Sequence, residues 1–440
     1  MDVLVVGSNI GGSVAAGDLA ACGAHVTLLE KDVKRKKPCG GAVPPKAFME
    51  FGIPESIIAR KTKRAVVIGP SGSEIGMDVR GTVARPNDFI AMVKREDLDR
   101  TMREKAQATG AELREGAYVS QEALADGRVR CLIRTRDGRE EYLTVDAVVG
   151  ADGAGSTVAK SVGRPLVKHA SAIQERLSLP DDAMEFYRET AELYLGDDVS
   201  PDFYGWIFPK DDHVAVGTGC RPEHANRSYA FLEGVKARAG SKLRGAKRIL
   251  LEGHPLPMHR NKKLVFGNTL LVGDAGGMVA HTSGEGIYFS MAAGRLAAET
   301  LLAHFGDPKT PLVRYEKLWQ KKYGAMFDFL EFLEKVSYRT NGQREFFVDM
   351  CDNETVQKLT FDSYLFKEMA TMKPHQHANL ALAGARTAIA QFLHPRTPLA
   401  TAPPKVTAKE ALHLTRMAIA DGTSADTTPA DTTRTLSHAD

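Results

Sequence analysis

The chain has no two cysteines close enough in sequence to act together. Its five cysteines, Cys22, Cys39, Cys131, Cys220 and Cys351, form no C-x-x-C pair, so neither a zinc site nor a disulfide framework is expected. No run of about 18 apolar residues occurs, so no segment is expected to cross a bilayer. The start, MDVLVVG, lacks a charged-then-apolar leader, and a cytoplasmic protein is expected. Charge of one sign is scarce as well. A net charge of +3 over 440 residues offers no broad surface for nucleic acid. The exception is local: Lys31, Lys34, Arg35, Lys36 and Lys37 crowd just before a proline, Cys39 and two glycines.

The chain is long enough for two lobes around large cores. DVLVV is a short apolar run ended by Gly7, as expected of a strand covered on both faces. SVAAGDLAACG follows with helical spacing and a glycine stop at Gly23, and HVTLLE reads as a second strand. This is a β-α-β unit. Residues 7 to 12 read G-S-N-I-G-G, close to the dinucleotide loop G-x-G-x-x-G, with Asn9 at the middle glycine. Gly7 permits the tight turn and Gly12 a close helix. The helix N-terminus offers N–H groups to a diphosphate, and Glu30 offers a carboxylate to ribose hydroxyls. Asparagine tolerates a left-handed backbone, so Asn9 is expected to supply the turn.

No second fingerprint of this kind occurs. Two other glycine clusters do, Gly150 to Lys160 and Leu270 to Glu299. In the latter, Asp274 follows a buried strand, where a carboxylate suits a ribityl hydroxyl, and the SGEG turn feeds a helix that can stabilise negative charge on a reduced flavin. Helices are expected over 94–110 and 286–305. The aromatic segment 312–338 carries Leu312, Tyr315, Trp319, Tyr323, Met326, Phe327 and Leu330 at helical steps, which favours core packing over a membrane face. The polar end, from about Asp421, is expected to be disordered.

GADGAGS and LLVGDAGG, in this order after the fingerprint, resemble the p-hydroxybenzoate hydroxylase-like flavoproteins. Three further strings resemble the geranylgeranyl reductases: KPCGGAVPP (37–45), YGWIFPKDDHVAVGTG (204–219) and GDAGGMVAHTSGEGIYFSMAAGRLAAE (273–299). VQKLTFDSYLFKE (356–368) is similar to the chlorophyll and bacteriochlorophyll branch. The resemblance covers about residues 1 to 395. It implies FAD as cofactor and saturation of isoprenoid double bonds. The implied substrates are geranylgeranyl-(bacterio)chlorophyllide and geranylgeranyl diphosphate, carried to phytyl with NADPH as transient reductant. The implied cofactor contacts are Gly7, Gly12, Glu30, Arg95, Asp152, Asp274 and Gly286, extended to Asn9, Gly11, Gly40, Gly41, Gly153, Gly273, Gly284 and Ile287. The implied substrate contacts are Tyr204, Trp206, Phe208 and Pro209.

The fold that goes with this resemblance is α/β (α+β). A Rossmann-like FAD-binding domain is expected over 1–165 plus 262–305, with small inserted segments. An antiparallel-sheet substrate domain takes 166–261, a C-terminal helical region 306–400, and a polar tail 401–440.

By the same resemblance Cys39 sits beside the flavin, with Gly40 and Gly41 letting the backbone approach the ring. A thiol with an ordinary pKa near 8.5 could donate or relay a proton, or position the alkene; a small space-filling residue is the plain alternative. The nearby lysines suit a diphosphate, the NADPH phosphates or anionic lipid, or a solvated face. Tyr204, Trp206 and Phe208 alternate, so on a strand they share one side, a wall for an oily chain or ordinary packing. The oily substrate leads us to expect peripheral attachment to an inner or photosynthetic membrane, with some support from Ala378 to Leu393. Three rivals remain: an archaeal-type digeranylgeranylglycerophospholipid reductase, an FAD-dependent aromatic monooxygenase, and a non-enzymatic prenyl carrier.

Overall fold

A computed structural model of the chain describes residues 1–79, 89–164, 169–257, 260–280, 282–367, 372 and 374–399. The tail expected to be disordered lies outside the described residues.

The first strand, Asp2–Val6, is apolar along its length because both faces are covered: Val3, Leu4, Val5 and Val6 are all buried. Each such side chain withdrawn from water contributes about 1.5–3 kcal/mol. It is a central strand of an eight-stranded sheet, whose order by residue range is 140–145, 129–135, 112–123, 25–30, 2–6, 147–150, 269–271 and 265–266. The strands 25–30, 2–6, 147–150 and 269–271 run parallel, and 112–123, which pairs parallel with 25–30, continues into an antiparallel ribbon with 129–135 and 140–145.

The Ile10–Ala21 helix returns between the first two strands. Two glycines at its start would each cost about 1 kcal/mol in an isolated helix, but here they permit close contact. A Cβ on Gly12 would lie 1.9 Å from the carbonyl oxygen of Gly7. One on Gly11 would lie 2.8 Å from the Ser290 carbonyl oxygen, and one on Gly294 only 2.2 Å from that of Gly11. The Ile10–Ala21 and Ile287–Gly306 helices therefore pack backbone to backbone.

Asn9 is not the turn residue. Its backbone is extended, at φ −70° and ψ 177°, and the positive φ of the loop belongs to Gly7, at +100°. Asn9 instead stands at the start of the helix, a position that requires extended backbone.

A seven-stranded sheet lies beside the first, in the order 247–257, 169–178, 214–220, 200–209, 190–196, 64–68 and 74–78. It is antiparallel except where 190–196 meets 64–68. The strand 90–93 pairs with 42–43 and 58–62 in a small third sheet.

The aromatic segment forms the Arg314–Ser337 helix, and the expected face is core: Leu312, Tyr315, Trp319, Tyr323, Met326 and Phe327 are buried with the Ile287–Gly306 helix. Among the described residues three more helices follow, Asn341–Met350, Glu354–Phe366 and Pro374–Leu393. Arg344, fully buried, bonds Asp197 at 2.6 Å and the carbonyl oxygen of Tyr338 at 2.7 Å, and so ties these helices to the second sheet.

Candidate active site

The parallel strands end together, and their carboxyl ends carry Gly7, Glu30, Asp152 and Asp274. In open α/β sheets that edge is where ligands bind. The glycine clusters converge there. A Cβ on Gly7 would meet the Ala151 carbonyl oxygen at 2.4 Å, and one on Gly286 would lie 3.5 Å from Asp274 Oδ1. Gly153, Gly273 and Gly284 take positive φ, each at a turn that other residues rarely adopt. Ile287 is buried at the start of its helix.

Glu30 accepts the Ser8 amide at 2.8 Å, the Ser8 hydroxyl at 3.0 Å and the Asp32 amide at 3.1 Å. These bonds hold its carboxylate at the rim of the loop. Asp152 has a local duty. It accepts from the Ser156 hydroxyl at 2.5 Å and from the amides of Thr157 and Val158, capping the Thr157–Ser161 helix. Gly11 is accounted for by helix packing.

Asp274 is buried and pairs with the half-buried Lys37, whose Nζ lies 2.7 Å from Oδ2. Burial alone would push this carboxyl up, but the adjacent ammonium holds it far below the usual carboxylate range. His254 Nε2 stands 3.6 Å from the same oxygen, beyond hydrogen-bond distance. Burial first, and then Lys37, push His254 down to about 4, so it is neutral at neutral pH. The basic run therefore divides: Lys37 turns inward, while Lys31, Lys34 and Lys36 stay exposed.

The Cys39 turn meets the aromatic strand. Cys39 Sγ accepts the Gly41 amide at 3.3 Å, and the carbonyl oxygen of Cys39 accepts from Gln174 at 3.2 Å. A Cβ on Gly40 would lie 2.7 Å from the Phe208 ring and 3.4 Å from Trp206 Nε1. One on Gly41, at φ +72°, would lie 2.1 Å from the Val93 carbonyl oxygen. The close approach that these glycines permit in this structure is to Phe208, Trp206 and the 90–93 strand. Arg95 is buried, pairs with Asp99 at 2.7 Å and lies against the Cys39 thiol. Burial opposes its charge, but Asp99 and Cys39 more than offset that and raise its pKa.

Tyr204, Trp206 and Phe208 share one side of their strand, with ring centroids 6.0 and 6.3 Å apart. The Tyr204 hydroxyl donates to the Ser283 carbonyl oxygen at 2.7 Å, which joins the aromatic row to the SGEG turn. Pro209 is buried at the end of the row.

Sequence reasoning missed three groups. Lys210, one residue beyond the aromatic string, is 2% exposed and donates to the Gly40 carbonyl oxygen at 2.8 Å. Burial lowers its pKa to about 7, with Cys39 acting in the opposite direction. Arg164 is buried beside the Asp274 turn, bonded to the Ala275 carbonyl oxygen, with Nε and Nη2 unpartnered among the described residues. Glu285 is paired with Lys367. The only cue to Lys210 and Lys367 was their place inside the quoted strings 204–219 and 356–368; Arg164 had none.

The residues fit a flavin dinucleotide. Two helices of more than ten residues, Ile10–Ala21 and Ile287–Gly306, start at this edge without a side-chain cap, which leaves amide donors for anionic groups. Arg164 adds buried donors with no partner among the described residues, and the glycines at 7 and 12 leave room that a Cβ would fill. Among the described residues no cluster could hold a metal ion.

Comparison with known proteins agrees. The FAD binding domain family model matches residues 1–307. The chloroplastic geranylgeranyl diphosphate reductase of Oryza sativa subsp. japonica is 41% identical over 394 residues, covering 86% of this chain and 84% of that protein. The geranylgeranyl diphosphate reductase of Synechocystis sp. is 41% identical over 384 residues, covering 84% of this chain and 94% of that protein. A geranylgeranyl bacteriochlorophyll reductase-like protein from Thermoplasma acidophilum has the same fold, with a TM-score of 0.73 at 21% identity over 86% of this chain and 98% of that one.

Proposed function

The chain belongs to the geranylgeranyl reductases, FAD-dependent oxidoreductases, and on that premise we propose that it converts geranylgeranyl to phytyl groups on a (bacterio)chlorophyllide or a free diphosphate, with NADPH as electron donor. The observation that carries this reading is the seating of the Cys39 turn on the aromatic row, beside the edge where three glycine clusters meet.

An isolated trisubstituted alkene is a poor hydride acceptor, because no carbonyl delocalises the charge. Bound FAD, once reduced, supplies the hydride. The Ile10–Ala21 helix N-terminus and Arg164 would hold its diphosphate, Glu30 its ribose, and Asp274 with the Gly284–Ile287 turn its ribityl and ring end. Tyr204, Trp206 and Phe208 line a dry wall that aligns the prenyl chain, and alignment in a dry pocket supplies much of the rate. Cys39 holds the proton for the other alkene carbon. Its sulfur accepts from the Gly41 amide and lies beside Arg95, two groups that would stabilise the thiolate left once the proton is given up. Proton donation from a placed side chain contributes about 10²–10⁴-fold.

Peripheral membrane contact is part of this reading. Among the described residues no helix is long and apolar enough to cross a membrane. Phe329, Phe332 and Val336 are exposed along the Arg314–Ser337 helix, and Leu382, Ile389, Phe392 and Leu393 along Pro374–Leu393.

The test is anaerobic incubation with geranylgeranyl-pigment or geranylgeranyl diphosphate and NADPH, followed by mass analysis. One added hydrogen molecule per reduced bond is expected. Cys39→Ala should keep its flavin and lose turnover by at least about 100-fold. Undiminished turnover in that variant removes the proton from Cys39, and no mass gain in the unaltered protein overturns the reductase reading.

A further inference from the structure

The SGEG turn and the 356–368 string are about 70 residues apart, yet one ion pair joins them. Glu285 is 8% exposed, and its Oε2 pairs with Lys367 Nζ. Its other oxygen, Oε1, has no hydrogen-bond partner among the described residues. The backbone of Glu285 is fixed as well, since its carbonyl oxygen accepts from the Ala280 amide at 2.9 Å.

Lys367 is unusual in its backbone. At φ +55° it is the one non-glycine residue with positive φ among the described residues. It follows the Glu354–Phe366 helix in the left-handed cap position, where glycine is the residue of choice because a Cβ is strained there. A lysine in this place serves through its side chain. The ammonium lies 4.5 Å from the Tyr364 ring centroid, 5.5 Å from Phe289 and 5.8 Å from Tyr288, an arrangement that favours a cation over ring faces.

The helix thus tethered borders the site. Phe361, Leu365 and Phe366 are buried in the cluster against which Tyr204, Phe208 and Tyr364 pack. Tyr364 lies near enough to Glu285, Tyr204 and Cys39 for their charges to act on its phenol, which burial above all pushes well above its ordinary range. The last turn of the helix is also held by Lys46, whose Nζ donates to the Phe366 carbonyl oxygen at 2.7 Å.

We propose that Lys367 is a positioning residue: its ammonium fastens the Glu354–Phe366 helix to the SGEG turn, so that Tyr364 closes one end of the prenyl slot and sets how far the chain enters. This rests on the reductase reading above, because a slot for a prenyl chain is assumed. The depth of entry decides which double bonds reach the reacting position. A loosened end should therefore change how completely the chain is reduced, beyond any change in rate.

Lys367→Gly separates the two roles open to this residue. Glycine suits the left-handed cap, so a capping residue would be replaced without loss. A tether would be lost. Glu285→Gln removes the charge from the other side while keeping the shape. In flavin-free protein, both variants should speed amide hydrogen exchange across residues 354–366 at least 10-fold, with residues 10–21 and 287–306 unchanged. In the flavin-loaded enzyme, both should raise the ratio of partly to fully reduced product at least 10-fold. Unchanged exchange in the helix, an unchanged product ratio despite a loosened helix, or loss of protection throughout the chain in both variants would each overturn the proposal. The exchange measurement needs no turnover, so it decides the tether even if the unaltered protein reduces no prenyl substrate, a result that would sink the reductase reading instead.

Discussion

The ammonium of Lys210 lies 2.8 Å from the carbonyl oxygen of Gly40. This bond joins the Cys39 turn to the end of the aromatic strand and buries a lysine almost completely.

A pH signature follows from that burial. Burial lowers the Lys210 pKa to about 7, whereas an unfolded chain restores a value near 10.4. Between about pH 7 and 10 the unfolded state binds more protons than the folded state, so this group makes stability rise with pH through that window. The penalty of burying the charge is complete below pH 7. Lys210→Met should be more stable than the parent at pH 7 and lose that advantage by up to about 1.4 kcal/mol per pH unit as pH rises. Urea unfolding of flavin-free protein at several pH values checks this. Parallel curves for parent and variant would contradict it.

Gly12→Ala should abolish flavin retention. Its Cβ would fall 1.9 Å from the Gly7 carbonyl oxygen, so the helix must move off the strand. Gly23→Ala is the contrast: φ is +83° but nothing lies within 4 Å of the new Cβ. It should cost about 1 kcal/mol from backbone strain alone and keep its flavin. Flavin absorbance per protein and denaturant midpoints measure both effects. Equal flavin content in the two variants would show that the close crossing does not matter for the cofactor.

Lys37 and Asp274 should show strong coupling. Lys37→Met leaves the buried Asp274 carboxylate without its partner and is expected to destabilise by about 3 kcal/mol, and Asp274→Asn, which strands only a half-buried ammonium, by less. The double variant should recover most of that loss, yet every variant lacking the Asp274 carboxylate should bind flavin weakly. Additive losses of stability would mean that the pair does not matter for folding.

Phe329→Ser with Phe332→Ser should reduce co-sedimentation with lipid vesicles. These rings are 44% and 58% exposed, so their removal should leave the unfolding midpoint within about 0.5 kcal/mol of the parent. Equal sedimentation would place any membrane contact elsewhere.

The β-α-β unit was legible because its signals are local: a covered strand, a glycine turn and a small-residue helix within thirty residues. The aromatic face of 314–337 was legible for the same reason, through its period. What stayed hidden depends on partners remote in sequence. Nothing near Lys210 announces Gly40, and nothing near Lys367 announces Glu285. Composition suggested that Asn9 would bend the loop, but the glycine two residues earlier takes the positive φ and frees Asn9 for extended backbone. Gly11 and Asp152 were read as cofactor contacts. The structure also gives each a local duty, one against Ser290 and Gly294, the other at the head of its own helix.

The crossing of Gly11 and Gly294 carries a consequence for biosynthesis. The first helix leaves the ribosome early, but the surface it must pack against is translated some 280 residues later. Until then the nascent nucleotide-binding unit has an open apolar flank, and a chaperone bound to that flank would have to let go before FAD could be captured.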